Sequence, residues 1–194
     1  MDSTEIGFWD DRYRANRTPW DLKGAPSLLR SYLLRNPGPA AALVPGCGSG
    51  YEVRAFDEAG WTALAVDFAP AAVERAKTVL GPLGGCVRLA DFFSDDFGGP
   101  FDLVYERTFL CSLPPALWPG YARRVAQLLK PGGSLVGIFF YGEEPEPPPF
   151  PLDPERARRL FDPLFTLEGD EAVPESDSLP LYGGKERWQV WRRR

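Results

Sequence analysis

Leu43-Val44-Pro45-Gly46-Cys47-Gly48-Ser49-Gly50-Tyr51-Glu52 joins an apolar run, Ala40 to Val44, to a helical pattern through glycines at 46, 48 and 50. Val53, Phe56 and Ala59 fall on one face of that helix, and Gly60 stops it. Strand, glycine turn and helix together bring backbone N–H groups and a helix N-terminus close to a ligand. Glycine has no Cβ, so the turn can take positive φ and let a flat ligand meet the main chain. An ordinary tight βα turn would carry the same glycines, and the chain on either side decides between the two readings.

Downstream, strand and helix alternate. Thr62 to Val66 is a buried strand closed by Asp67, and Pro70 starts a helix with Val73, Ala76 and Leu80 on one side. Gly84-Gly85 precedes a strand from Cys86 to Ala90, followed by Asp91-Phe92-Phe93. Phe101 to Tyr105 is a fourth strand, and Pro114-Pro115 introduces a helix carrying Leu117, Tyr121, Val125 and Leu128. Lys130-Pro131-Gly132-Gly133 ends that helix before a fifth strand, Ser134 to Tyr141. Repeated βα units with near-continuous apolar strands predict a doubly wound, parallel sheet covered by helices on both faces. The acidic, proline-rich segment Glu143 to Pro151 reads as an exposed loop. A helix from Pro154 to Phe161 follows. Leu164 to Leu167 and Arg187 to Trp191 can then pair as a hairpin at the end of the sheet.

Upstream, Glu5 to Asn16 can form an amphipathic helix with Phe8, Trp9, Arg12 and Tyr13 at helical offsets. The first helix ends in Thr18-Pro19-Trp20-Asp21, where the proline favours an extended residue before it, and a second helix with Leu28, Leu29, Tyr32 and Leu33 as its apolar stripe closes at Pro37-Gly38-Pro39. The expected organisation is a single domain over 1–194, with 1–36 as an N-terminal lid and helix and 40–194 as the core.

Composition narrows the chemistry. A chain of 194 residues with 44% hydrophobic and 25% charged residues is a globular domain rather than a disordered one. No apolar run reaches bilayer length and the acidic, polar N-terminus has no secretory pattern, so a cytoplasmic protein without membrane contact is expected. Net charge is −5 and the only basic run of three is Arg192 to Arg194, which leaves no broad footprint for nucleic acid. Cys47, Cys86 and Cys111 share no metal-ligand spacing, and with no histidine in the chain a metal site is not expected. The same lack of histidine excludes Ser-His-Asp and Cys-His chemistry. A general base would have to be a carboxylate, tyrosine, lysine or water.

In doubly wound sheets the ligand lies beyond the carboxyl ends of the strands. Those ends here supply the 46–50 turn, Asp67, Asp91-Phe92 and Glu106-Arg107. Asp67 can accept from both hydroxyls of a ribose, or can serve as a helix N-terminal charge near Pro70. Asp91 with Phe92 offers an acceptor for an exocyclic amine beside an apolar wall, or is a loop aspartate next to a core phenylalanine. A dinucleotide wants G-x-G-x-x-G, and this chain has G-x-G-x-G with Tyr51 at the last position. The carboxylate-ended second strand and the K-P-G-G turn resemble class I S-adenosylmethionine-dependent methyltransferases over residues 40–141.

A narrower resemblance covers nearly the whole chain. Phe8-Trp9-Asp10-x-Arg12-Tyr13, Thr18-Pro19-Trp20-Asp21, Val44-Pro45-Gly46-Cys47-Gly48, Asp91-Phe92-Phe93, Thr108-Phe109-Leu110-Cys111 and Gly184-Lys185-Glu186-Arg187-Trp188 resemble the thiopurine S-methyltransferase superfamily, in its halide and thiol methyltransferase branch. The resemblance implies a Rossmann-like, seven-stranded, mostly parallel sheet with a C-terminal antiparallel hairpin and an N-terminal helical lid. It implies S-adenosylmethionine as cofactor, with Trp9, Tyr13 and Trp20 packing on it. Gly46, Gly48 in the same turn, Asp67, Asp91 and Phe92 would hold its nucleoside and amino-acid parts, and Arg107 would sit near sulfonium and substrate. Asp67 stands where many relatives have Glu, Arg107 where plant halide enzymes have Tyr, and Tyr13 where Trp is frequent.

The chemistry expected is in-line methyl transfer to a small soft nucleophile, such as a thiolate, hydrogen sulfide, a halide, a selenium or tellurium species, or a thiopurine-like aromatic thiol. Such a displacement needs little acid–base help, which suits a chain without histidine. Cys111 reads as a packed thiol. The substrate partner is a small molecule and a monomer is expected. Two other readings stand beside this one. One is a small-molecule O- or N-methyltransferase with Glu106 as base. The other is a silent S-adenosylmethionine-binding module. A nicotinamide oxidoreductase is a third, disfavoured by the glycine spacing.

Overall fold

The structure is a computed structural model that describes residues 2–144 and 146–194. Two compact units divide the chain, Met1–Asp96 and Phe97–Arg194.

The first unit begins with two helices, α1 (Ile6–Arg14) and α2 (Ser27–Arg35). Three strands then alternate with helices: β1 (Ala41–Pro45), α3 (Tyr51–Glu58), β2 (Thr62–Asp67), α4 (Pro70–Leu80) and β3 (Val87–Leu89). The strands run parallel in the order β3-β2-β1, with Leu43 beside Leu64 and Ala65 beside Val87. Ala42, Leu43, Val44, Ala65 and Val66 are all but inaccessible. Both faces of a parallel strand meet helices, so apolar residues follow one another instead of alternating. Proline at the first position of α4 starts that helix without losing a needed N–H. Gly50, at φ +71, opens α3. A Cβ there would come within 3.2 Å of Leu80 and 3.3 Å of Ala76, so a side chain would press on α4 as well as strain the positive φ.

The second unit contains β4 (Phe101–Arg107), α5 (Trp118–Leu128), β5 (Leu129–Phe140), α6 (Pro154–Phe161), β6 (Phe165–Ala172) and β7 (Glu186–Arg193). Their order is β4-β5-β7-β6. The β4–β5 pair is parallel, with α5 as its crossover, while β7 pairs antiparallel to both β5 and β6. Phe161 of α6 packs 5.0 Å from the Trp191 ring and 5.8 Å from the Phe139 ring, joining helix to sheet. Truncating a buried aromatic of this kind costs about 3–5 kcal/mol.

Seven strands with intervening helices and a terminal antiparallel hairpin make the α/β class that the sequence predicts. One boundary differs. Lys130-Pro131-Gly132-Gly133 does not separate helix from strand but lies within β5, which begins at Leu129. The register passes from Phe101 beside Leu129 to Leu103 beside Ser134, so the extra residues form a bulge. Gly132 supplies its positive φ, and Lys130 Nζ reaches Asp102 at 2.8 Å. The hairpin strands are also longer than their apolar cores, because backbone pairing continues past the last buried side chain.

Candidate active site

At the carboxyl ends of β1 and β2, the glycine turn and Asp67 are bound to each other. Gly46 and Gly48 take φ of 57° and 53°. The Gly48 N–H donates to Asp67 Oδ2 at 3.0 Å, and the Ala69 N–H donates to Oδ1 at 2.9 Å. Each carboxylate oxygen thus uses one acceptor site on the backbone and keeps another for a ligand hydroxyl. Burial pushes the Asp67 carboxyl up to about 6, against the pull of the Ala69, Gly48 and Phe68 N–H groups. Asp67 thus braces the turn before α4 and stands buried at the strand end.

The N-terminal segment packs onto this corner. Tyr13 is buried with Ala69, Ala71 and Ala72, and Trp9, Trp20 and Phe68 pack against the same cluster. Trp20 Nε1 donates to Tyr13 Oη at 3.2 Å, and the Trp20 ring lies edge-on to Trp9 at 5.3 Å. Trp9 Nε1 is turned the other way, donating to the Ser3 carbonyl at 2.7 Å. Tyr13 Oη lies 2.5 Å from where a Cβ on Gly48 would stand, so at Gly48 a side chain is excluded by contact as well as by φ. Burial and the negative Asp67 push the Tyr13 hydroxyl up, which keeps its proton in place.

Arg75, which lies in no quoted motif, and several motif residues whose pairing the sequence did not show hold this segment. Arg75 of α4 donates to the Tyr13 carbonyl at 2.8 Å, to Asn16 Oδ1, and to Thr18 Oγ1 at 3.3 Å. Asp10 Oδ1 accepts from the Ala71 N–H at 2.7 Å, capping α4 from another element. Ser49 Oγ donates to Asp21 Oδ2 at 2.7 Å, tying the T-P-W-D loop to the glycine turn. Sequence separations of 28 to 62 residues put these pairs beyond local pattern reading.

Asp91 and Phe92 differ in setting. Asp91 is exposed and closes its own turn, accepting from the Phe93 N–H at 2.8 Å and from Ser94 Oγ at 2.9 Å. Phe92 is buried beside Phe93, edge-on at 5.2 Å.

Arg107 belongs to the second unit, at the end of β4. It is 9% exposed, and its Nη2 donates to the Asp177 carbonyl at 3.1 Å. Its Nη1 is buried with no hydrogen-bond partner among the described residues. A buried donor left unmatched is costly, which marks this nitrogen as a place for an acceptor. Thr108 follows with φ of +60°, uncommon for a β-branched residue and a frequent companion of functional turns. Glu106 holds that turn: Oε1 accepts from the Phe109 and Leu110 N–H groups, both at 2.9 Å, and Oε2 accepts from Tyr121 Oη at 2.7 Å. Burial pushes its carboxyl up to about 7, with Tyr121 and the two amides pulling the other way. Glu106 is thereby engaged as a turn brace. Cys111 is pushed up to about 12 by burial and by the nearby Glu106 charge, so it remains a thiol.

Among the described residues no helix is long and apolar enough to cross a membrane.

The fold and the strand-end site define an S-adenosylmethionine-dependent class I methyltransferase. Of solved structures, a Burkholderia thailandensis 1,6-didemethyltoxoflavin N1-methyltransferase, crystallised with its substrate and S-adenosylhomocysteine, superposes with a TM-score of 0.75. It shares 22% identity and covers 97% of this chain and 86% of its own. The magnesium protoporphyrin IX methyltransferase of Synechocystis superposes with a TM-score of 0.73 at 16% identity, over 100% of this chain and 98% of its own. Residues 4–194 match the family model described as Thiopurine S-methyltransferase (TPMT), and the chain belongs to that family. It is 31% identical to a probable thiol methyltransferase 2 of Arabidopsis thaliana, over 100% of this chain and 88% of the relative. It is 30% identical to a thiopurine S-methyltransferase of Methylococcus capsulatus, over 83% and 82% of the two chains.

The residues present fit the cofactor. Asp67 has acceptor capacity to spare, the glycine turn brings bare main chain to the strand end, and three aromatic rings cluster beside it.

Proposed function

We propose that this protein methylates a small sulfur nucleophile held as an anion, with S-adenosylmethionine as donor. Its relatives carry the names thiol, thiocyanate and thiopurine methyltransferase. Halides and selenium or tellurium species share the same soft anionic character and belong to the same reading. The observation that carries it is Arg107, a buried cation with one N–H group left without a partner.

When bound, the cofactor supplies an electrophilic methyl group on a positively charged sulfur. Asp67 would hold the ribose hydroxyls, and the 46–50 turn would take the amino-acid part. Trp9, Tyr13 and Trp20 would face the sulfonium, which aromatic faces attract. Asp91 and Phe92 would border the adenine. Arg107 would fix the nucleophile by a charge-assisted hydrogen bond from Nη1. A lone pair of the nucleophile forms the new bond to carbon as the sulfonium carbon–sulfur bond breaks, and that pair returns to the departing sulfur. No proton moves when the nucleophile is already an anion. Orientation and removal of water account for the acceleration, and neither needs a histidine.

The engaged oxygens of Glu106 count against an O- or N-methyltransferase that relies on it as base. We read 1–194 as one monomeric, cytoplasmic methyltransferase acting on a small molecule. The test is methyl transfer from S-adenosylmethionine to hydrosulfide, thiocyanate, iodide, selenite, thiophenol and a thiopurine. Turnover on sulfur nucleophiles is expected. Tight binding of S-adenosylhomocysteine with no turnover on any member of the panel would make the protein a binding module.

A further inference from the structure

We propose that Tyr182 sets the size of the nucleophile, admitting hydrosulfide or another sulfur nucleophile of very few heavy atoms and excluding aryl thiols. The inference rests on the S-methylation reading. Its starting point is a cavity at the carboxyl ends of β4 and β5, the strand edge where ligands of such sheets bind. Thr108 and Cys111 from the turn after β4, Phe140 from β5, Phe150, Tyr182 and Glu186 are among its lining residues. The space measures about 10 Å³, room for one water-sized occupant.

Tyr182 is the wall that could yield. It comes from the loop between β6 and β7, and Phe150 comes from the loop after β5, whereas Phe140 and Glu186 stand on strands and Thr108 and Cys111 on the braced turn. Its ring lies 4.7 Å from that of Phe140, and its Oη is 3.7 Å from Cys111 Sγ. Only 4% of the residue is exposed. Three polar tethers hold the loop down independently of the ring. Arg107 Nη2 donates to the Asp177 carbonyl at 3.1 Å, Ser178 Oγ donates to Glu186 Oε2, and the Leu179 N–H donates to the same oxygen at 3.1 Å. Arg107 therefore has two tasks: one nitrogen anchors the loop that carries Tyr182, while the other is buried without a partner. Its positive charge is felt at both Tyr182 and Glu186. Glu106 and Glu186 also line the space, and a space of one heavy atom suits only a compact nucleophile. An aromatic thiol needs the volume that the tyrosine ring fills.

The experiment compares kcat/KM for sodium hydrosulfide and thiophenol in the full-length protein, with S-adenosylmethionine as donor and S-adenosylhomocysteine affinity as a control. The unaltered protein is expected to prefer hydrosulfide. Tyr182→Ala is expected to move the preference toward thiophenol by tenfold or more, through a lower KM for thiophenol and with cofactor affinity kept. Tyr182→Phe keeps the ring and is expected to keep the preference, which separates bulk from the hydroxyl. Cys111→Ala enlarges the same cavity from the facing wall and is expected to shift the ratio in the same direction, so the outcome does not hang on one variant's folding. Turnover with a ratio that neither Tyr182→Ala nor Cys111→Ala changes overturns the role of Tyr182 alone. No turnover on any sulfur nucleophile, with S-adenosylhomocysteine still bound, overturns the S-methylation reading and this inference with it.

Discussion

Asp67 combines an observed role in the fold with the ribose-binding role proposed for it. Its two backbone acceptances at 2.9 and 3.0 Å fix the glycine turn, and burial holds its carboxyl near 6. Hydroxyl donors would favour the ionised form, so cofactor binding should expel a proton. Affinity for S-adenosylhomocysteine is expected to rise as pH goes from 5 to 7, and Asp67→Asn should flatten that profile. Asp67→Ala should weaken binding by about 1.5–3 kcal/mol, the worth of hydrogen bonds to a charged acceptor. Calorimetry at three pH values measures both effects, and an unchanged Kd would remove the ribose role. Arg107→Ala is expected to lower kcat at least tenfold while leaving S-adenosylhomocysteine affinity within a few-fold. An equal loss of both would make Arg107 a cofactor residue. Asp67 was legible in the sequence because it ends an apolar strand. The orphan Nη1 of Arg107 was not, since it depends on a loop carbonyl 70 positions away.

At the scale of elements, α1 and the loop after it are fastened by side chains rather than by their own helix. The α1 N-cap, Glu5, makes no side-chain cap bond, and the helix has only nine residues, too short to persist alone. Arg75 replaces that missing stability with three acceptors and a guanidinium 5.2 Å above the Tyr13 ring. Arg75→Ala should loosen the segment, costing about 1–2 kcal/mol of stability because the contacts are partly solvated. The S-adenosylhomocysteine off-rate should rise more than that destabilisation alone would suggest, with faster hydrogen exchange confined to residues 6–21. Arg75→Lys should restore the charge but not all three contacts, giving an intermediate off-rate. An off-rate unaffected by Arg75→Ala would mean that the segment does not retain the cofactor. Helix and strand positions were legible here because the apolar periods are strong and glycine or proline ends most of them. The K-P-G-G bulge inside β5 was not, because the same four residues serve equally well as a helix stop, and only strand pairing decides.

For the whole molecule, the lack of histidine leaves no side chain whose ordinary range lies between pH 5 and 8, so buried carboxyls govern stability there. Asp67 and Glu106 are raised from 3.8 and 4.5 to about 6 and about 7, mainly by burial, and Glu186 is raised in the same direction. Below about pH 3 these groups are protonated in both folded and unfolded chains and contribute no slope. As pH rises, the unfolded chain loses those protons first. The folded protein then holds more protons than the unfolded one, and stability falls with pH until the folded groups also ionise near 6 and 7. The stability they contribute is thus fully present below their unfolded values and lost by about pH 7.5. For Glu106 the span of about 2.5 units corresponds to roughly 3 kcal/mol. Urea unfolding of the cofactor-free protein at pH 4.5, 6.0 and 7.5 should show a midpoint that declines across the series. Glu106→Gln keeps an acceptor for the Phe109 and Leu110 N–H groups while removing the titration, so its midpoint should vary less over the same range. A Glu106→Gln profile parallel to that of the unaltered protein would place the decline elsewhere and return Glu106 to an ordinary ionised brace.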